Sequence, residues 1–464
     1  MTRLPHDRRP LIDSDRIEGA SPPDSAETRR ARPARVLHLS TNDTKGGGAR
    51  SSYRLHRALL GAGVSSEMLV LNKSSADSTV RQLSLSTRAT RRISRWLARQ
   101  RESVLLRRAL RRGPRIPREA FGLATSPFGR DLLDQTGSPD LFNLHWTSGF
   151  VDLPSFFRLR GNLFPIVWRP SDIYPFSGGC HYSHSCERFE ESCGYCPYLG
   201  SDSRNDLSRL ELQSRVEAYQ QLRPDTFQII AQSHWMEEQI QKSRAWSRFP
   251  TTVIPNGTDL KVFRPRNRRL ARAALGVPEH TTVFGFVSDD VQNSRKGLPT
   301  LLKGLEELGN SSEITLLSVG GGAIPSDLEL PWRHVGRIED DRLLSTVYSA
   351  MDIFVAPSLQ DTFPNTVIEA IACGTPVIGT RMGGMLDVLR PNESGWFFEP
   401  GDVTSLARTM TDALALIKDN PEELRGRART QAEREFDVVV QATRYEKVYG
   451  ELLDSIKKNR TQHR

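Results

Sequence analysis

An α/β protein of two domains, each built on a parallel sheet, is what this sequence predicts, and three observations predict it. Short apolar runs such as Arg35–Ser40, Glu67–Leu71 and Thr281–Val287 alternate with stretches of helical character, the pattern of βαβ units. The stretch from Asp352 to Thr380, DIFVAPSLQDTFPNTVIEAIACGTPVIGT, holds a complete strand, loop, helix, turn and strand. The length of 464 residues suffices for two domains of ordinary size, each with its own core.

Composition narrows the class. Hydrophobic residues make up 37% and charged residues 26%, as in a soluble globular protein. No run approaches the ~20 apolar residues of a membrane span, and the N-terminus lacks the apolar core of a signal peptide, so the expected compartment is the cytoplasm. The net charge is +9, but 88–118 alone carries 12 arginines against one acid, Glu102, or +11; everything else sums to −2. A nucleic-acid partner is not expected, because the basic residues are neither spread over a folded face nor interleaved as in a recognisable module.

Residues 1–34 are rich in Pro, Ser, Asp and Arg and poor in apolar residues, which predicts a disordered tail. The first domain is expected over 35–255. Its first strand, RVLHLS, runs into Gly46, Gly47 and Gly48, where the backbone can approach a ligand closely at the start of a helix over about 49–60. A glycine run is also compatible with a plain surface loop; its position directly after a strand favours a site. The basic segment 88–118 interleaves Ile93, Trp96, Leu97, Val104, Leu105 and Leu110 with its arginines. That suits either a helix lying on an anionic membrane or a solvated face packed on the domain. Asp140–His145 and Pro165–Trp168 read as further strands.

The loop over 177–200 gathers four of the five cysteines, Cys180, Cys186, Cys193 and Cys196. Four thiols are enough for a structural zinc, with two disulfides or unbound thiols as the alternatives, and His181 and His184 stand nearby. Cys373 reads as a small buried residue. A polar helix over 207–222 and FQIIAQSHWMEEQI complete the domain. Asn256 and Gly257 supply a turn, with the domain boundary near Pro255.

The second domain is expected over 256–435. After the strand TTVFGFV, Arg295 and Lys296 stand just before Gly297 at a helix start, where positive charge suits a diphosphate. ITLLSVGGG is a strand and glycine turn. In Asp352–Thr380, Thr362 is expected to cap a short helix with Pro364 in its first turn, ended by Gly374 and Pro376. The backbone N–H groups of Phe363, Asn365 and Thr366 would then face a ligand at the carboxyl edge of the sheet, a natural place for phosphate oxygens. Asp361 and Glu369 frame that site and suit sugar hydroxyls. A last helix over about 441–456, within a C-terminal stretch 436–464, is expected to cross back to the first domain.

The Asp361–Val377 pattern, an acid, seven residues, then Glu369 in EAIACGTPV, resembles the signature of the retaining glycosyltransferases of family four, which have the GT-B fold. The resemblance extends over nearly all of 35–455. It implies two Rossmann-like domains facing across a cleft and a nucleotide-diphosphate sugar as donor. It further implies transfer to a hydroxyl of a glycan or lipid-linked acceptor with retention, in bacterial cell-surface polysaccharide or glycolipid synthesis, at the inner face of the plasma membrane. By the same resemblance Asp361 contacts the donor sugar, Glu369 the ribose and the helix start the diphosphate. Lys296 matches the family's Lys-Gly motif, with Arg295 beside it. His334–Ile338, with Arg337, matches the loop that cups the base, and Gly47 and Gly48 face the cleft from the other side. Asp172 matches the family's Asp in a branch with a Gly-Gly-Cys-His-Tyr loop, while Ser171 stands where His is usual. No catalytic metal is required by such chemistry. Two other readings stay open: a basic adaptor binding polyanions through 88–118, and a GT-B enzyme of another reaction type, such as an epimerase or phosphorylase.

Overall fold

The structure is a computed structural model in which residues 34–113, 119–309, 313–323 and 330–462 are described. Residues 1–33 of the expected tail, and Arg115 and Arg118 of the basic segment, lie outside them. Thirteen strands form two sheets among the described residues. The first comprises β1 (Arg35–Asn42), β2 (Ser65–Asn72), β3 (Val80–Gln82), β4 (Leu141–Leu144), β5 (Ile166–Trp168), β6 (Phe227–Ala231) and β7 (Thr251–Val253). The second comprises β8 (Thr282–Asp290), β9 (Ile314–Gly321), β10 (Trp332–His334), β11 (Ile353–Ala356), β12 (Val377–Thr380) and β13 (Gly395–Phe398).

The helices that cross between them are α1 (Gly47–Gly61), α2 (Ala89–Ala109), α3 (Gly129–Gln135), α4 (Leu153–Arg160), α5 (Leu207–Gln220) and α6 (His234–Lys242) in the first half. The second half has α7 (Arg268–Leu275), α8 (Leu298–Leu308), α9 (Asp341–Ala350), α10 (Asn365–Ala372) and α11 (Met385–Val388). The chain ends in α12 (Val403–Asp419), α13 (Pro421–Glu435) and α14 (Val438–Gln462).

Every strand pairing is parallel, in the orders β3-β2-β1-β4-β5-β6-β7 and β10-β9-β8-β11-β12-β13. Parallel strands need helical crossovers, which cover both faces of a sheet. That is why β4, β5, β11 and β12 are fully buried and almost wholly apolar or small, with Asn143 of β4 paired to the Tyr449 hydroxyl. The order reverses between β1 and β4 in one sheet and between β8 and β11 in the other. At such a switch point the loops leaving the two strands diverge and open a crevice at the carboxyl edge. The loops at issue are the glycine run after β1, the Arg295–Lys296 turn after β8 and the segment between β11 and α10.

Two chain segments cross side by side between the sheets. Thr258 N donates to Phe436 O at 2.8 Å and Val438 N to Thr258 O at 3.1 Å. Gly257 is needed here for closeness rather than for a turn: its backbone is not left-handed, and an added Cβ would lie 2.4 Å from Val438 Cα. From this crossing α14 runs back over the first sheet, where Ala442, Tyr445 and Tyr449 pack with Leu55, Leu141 and Ile230.

A cleft between the two sheets

The crevices of the two sheets face each other and enclose a cavity of about 240 Å³. From the first half it is lined by Gly47, Gly48, Arg50, Arg169, Ser171, Tyr182, Gln232 and Asn256. The second half contributes Arg295, Lys296, Arg337, Asp361, Phe363, Asn365, Thr366 and Glu369 among others. Most of the residues singled out in the sequence therefore meet in one place. Asp172, which the family resemblance assigns to the site, is not in the cavity wall. Its carboxylate accepts from Tyr174 N, from Trp146 Nε1 at 3.0 Å and from His181 Nδ1 at 2.6 Å, so it fixes the loop behind the wall.

The glycines let α1 begin hard against the opposite wall. Gly46 takes the left-handed φ of 91°, and a Cβ on Gly48 would lie 2.8 Å from Ser171 Oγ. Asn365, the first residue of α10, then bridges the halves: its Nδ2 donates to Gly47 O at 3.1 Å and its Oδ1 accepts from Asn256 Nδ2 at 3.0 Å. The expectation that Thr362 caps α10 fails. The N-cap is Pro364, and Thr362 instead donates Oγ1 to Ser171 O at 2.9 Å, because the chain is still extended along the first domain at that point. The N–H of Phe363 donates to the Asp361 carboxylate, while Asn365 and Thr366, the first two residues of α10, belong to the cavity wall.

Charge in the cavity is arranged in two clusters. Lys296 Nζ donates to Asp361 Oδ2 at 2.6 Å, with Arg295 Nη1 3.9 Å away. Burial pushes the Asp361 carboxyl up, but Lys296 and Arg295 outweigh it and hold the group below the usual carboxylate range. Arg295 is not a free cation beside Lys296. It is 6% exposed, donates to Glu119 at 2.9 Å and to Gln360 O at 2.8 Å, and stacks 3.8 Å from the centre of the Tyr182 ring. Its charge still reaches the cavity, but its bond to Glu119 and its stacking on Tyr182 tie the two halves together.

The second cluster surrounds Glu369, which is 4% exposed. Arg54 Nη1 donates to its Oε1 at 2.7 Å and the Tyr348 hydroxyl to its Oε2 at 3.0 Å. Arg54 also holds Asp341 at 2.9 Å and lies over Phe263. Burial raises the Glu369 carboxyl above its ordinary range despite the opposing Arg54 charge. Arg50, one turn earlier, donates to Ile338 O at 2.9 Å, and Arg337 donates to Asp289 O at 3.1 Å beside it.

Arg54, Asp341, Tyr348 and Arg169 went unnoticed in the sequence. For Arg54 a signal existed: it lies seven residues after Gly47, on the same helix face. Arg169 is wholly buried, with no carboxylate partner among the described residues, and donates to Asn256 Oδ1 at 2.7 Å and Gly48 O at 3.2 Å; nothing in its local sequence marks it.

The cysteines lie apart from the cleft. Cys180, Cys186, Cys193 and Cys196 are free thiols around one small apolar void. Among the described residues no three His, Cys, Asp or Glu side chains are grouped so as to hold a metal ion, which gives the expected zinc no support. Cys196 is engaged elsewhere, accepting from the backbone N–H groups of Tyr198 and Leu199. His181 is taken by Asp172.

Two Rossmann-like sheets facing across a charged cleft define the GT-B class. Solved structures agree on the fold. The sucrose-phosphate synthase of Thermosynechococcus elongatus superposes with a TM-score of 0.61 at 19% identity, covering 91% of this chain and 100% of that one. Anabaena Alr3699/HepE in complex with UDP-glucose gives 0.61 at 18% identity, with the same coverage. Residues 281–415 match the family glycosyl transferases group 1. A D-inositol 3-phosphate glycosyltransferase of Catenulispora acidiphila is 33% identical over 191 residues. That match spans 36% of this chain and 44% of the relative, so the chain covers less than half of the relative's length.

Proposed function

We propose that this protein is a retaining glycosyltransferase that moves a hexosyl group from a nucleotide-diphosphate donor to an acceptor hydroxyl in bacterial cell-surface polysaccharide or glycolipid synthesis. The convergence of Lys296, the start of α10, Asp361 and Glu369 on one cavity at the carboxyl edges of both sheets supports it most. The donor diphosphate would lie on the amides of Asn365 and Thr366, with Lys296 as its cation. Glu369 would accept from the ribose hydroxyls in place of Arg54 or Tyr348. Asp361 would accept from a hydroxyl of the donor sugar, and Arg337 is part of the loop that would cup the base. As the glycosidic bond breaks, negative charge grows on the leaving diphosphate, and the fixed cation and amide dipoles stabilise it more than they stabilise the intact donor. The acceptor proton would pass to a phosphate oxygen on the same face of the sugar, consistent with retention. The acceptor, glycan or lipid-linked, would enter from the side of the first sheet. The domains would divide near Pro255.

A screen of nucleotide-diphosphate sugars for thermal stabilisation and slow hydrolysis tests this. A matching donor at a hundredfold excess over its Kd adds about 2.7 kcal/mol of stability. Absence of both stabilisation and hydrolysis across the uridine, guanosine, adenosine and thymidine donors would overturn the assignment.

A further inference from the structure

Helix α2 is amphipathic in the inverse sense. An ordinary surface helix turns its apolar stripe to the core and its charges to water. None of the 21 residues of α2 is buried, and it is fastened to the domain by arginines. Arg91 Nη2 donates to Asp134 at 3.0 Å, Arg95 Nη1 to Asp131 at 2.7 Å, and the Arg99 guanidinium lies 5.2 Å from the centre of the Phe128 ring. These three follow one another at intervals of four and make one face. Ile93, Trp96, Leu97 and Val104 share the opposite face, and they are 58%, 59%, 50% and 41% exposed.

A single exposed leucine needs no explanation, but a stripe of this kind does. Its surroundings say what covers it. Arg88, Arg92, Arg101, Arg107, Arg108 and Arg111 are exposed around it, while Glu102, the only acid of α2, is half-buried near the carboxylates of Asp152 and Glu211. The outer surface of α2 is therefore cationic with an apolar centre. A nucleic acid in water would match the charge and leave the stripe wet. An anionic lipid surface takes both. Among the described residues no helix is long and apolar enough to cross a membrane, so contact would be from the side.

We infer that α2 seats this protein on an anionic phospholipid surface, with Ile93, Trp96, Leu97 and Val104 in the headgroup boundary and the exposed arginines on the headgroups. The end of α2 leads from that surface toward the cleft. Ala109 and Leu110 pack against Cys196, Tyr198 and Leu199 of the cysteine loop, and Tyr182 of the same loop lines the cavity. This docking is independent of which sugar the cleft takes.

The test is co-sedimentation of the full chain with phosphatidylcholine vesicles, with and without about one third phosphatidylglycerol, near physiological salt. The wild type should sediment with the anionic vesicles only. The triple variant Ile93→Ser, Trp96→Ser, Leu97→Ser should lose on the order of tenfold in partitioning, and Arg92→Gln with Arg101→Gln and Arg108→Gln should lose a similar factor. Both should keep the wild-type melting profile, since the altered side chains are exposed. A wild type that stays in the supernatant overturns the inference. So does a triple apolar variant that binds as well as wild type, or that keeps an equally tight hold on duplex DNA, which would make α2 a polyanion surface.

Discussion

Arg54 Nη1, on the first domain, and Glu369 Oε1, on the second, lie 2.7 Å apart with both side chains buried. The carboxylate proposed to hold the ribose is thus already held, by a residue across the cleft. A nucleotide entering must share or displace that bond. Removing one partner of a buried pair leaves the other charge unpaired, a loss of roughly 3–5 kcal/mol. Arg54→Met should therefore lower stability by about 3 kcal/mol in chemical denaturation, with Tyr348 and residual protonation of Glu369 limiting the damage. The pH profile carries the sign. Burial already raises Glu369, and without Arg54 it rises further, so the folded state binds more protons than the unfolded one. Stability of the variant should then fall as pH rises above the ordinary glutamate range. A flat profile would mean that Glu369 is solvated in the variant.

Glu369→Gln separates binding from chemistry. It keeps the volume and removes the charged acceptor, so nucleotide affinity should fall about tenfold or more, at roughly 1.5–3 kcal/mol for a hydrogen bond to a charged group. Calorimetric titration with the bare nucleoside diphosphate reads this without turnover. Unchanged affinity would remove Glu369 from the ribose.

Asp361 and Lys296 make the converse case. Lys296 holds Asp361 below the usual range against the effect of burial, so the pair contributes stability at neutral pH that is lost as pH falls through the folded pKa of Asp361. Asp361→Asn should cut sugar transfer by about a hundredfold or more, in keeping with loss of a charged contact to the reacting sugar. Affinity for the bare nucleotide should change little. Asp361→Glu, which keeps the charge on a side chain one methylene longer, should restore part of the transfer. An Asn variant that transfers sugar normally would place the sugar elsewhere.

How much of this was legible in the sequence follows from where the information sits. Strands β8, β11 and β12 and helix α10 announce themselves because burial on both faces demands apolar runs and short-range signals end them. The cavity wall of the second domain is contiguous in sequence at 361–369, so it could be read. Arg54, Asp341 and Tyr348 reach Glu369 only through packing of three separate helices. Arg295 looked like a free cation because nothing local foretells Glu119 and Tyr182 on the far side of the cleft. The cysteines were visible as a cluster, but spacing does not say whether four sulfurs converge on a metal.

Gly48 offers a steric test of the cleft floor. An alanine there would bring Cβ to 2.8 Å from Ser171 Oγ and 3.0 Å from Ser171 Cβ. Rotating the hydroxyl relieves the first contact and not the second, so α1 must shift. Gly48→Ala should destabilise by about 1–3 kcal/mol and weaken activity. Ser171→Gly removes both clashing atoms and should rescue much of the loss in the double variant. Absence of rescue would mean that the shift is driven by another neighbour.

Three of the four thiols of the cysteine loop, those of Cys180, Cys193 and Cys196, should be inert in the folded protein. Burial pushes Cys180 up to about 12, helped by the neighbouring Cys196, and raises Cys193 and Cys196 as well. The thiolate is the reactive form, so at pH 8 these three sulfurs are almost wholly protonated and shielded. Alkylation by iodoacetamide at pH 8, followed by mass spectrometry, should leave them unmodified over times that label an exposed thiol completely, and should modify all three once the chain is unfolded. A bound metal would also block the reagent, but it would do so by holding thiolates, and a chelator would then expose the sulfurs. Protection that survives the chelator is the outcome expected of buried thiols; protection that the chelator removes would show that the loop holds a metal after all.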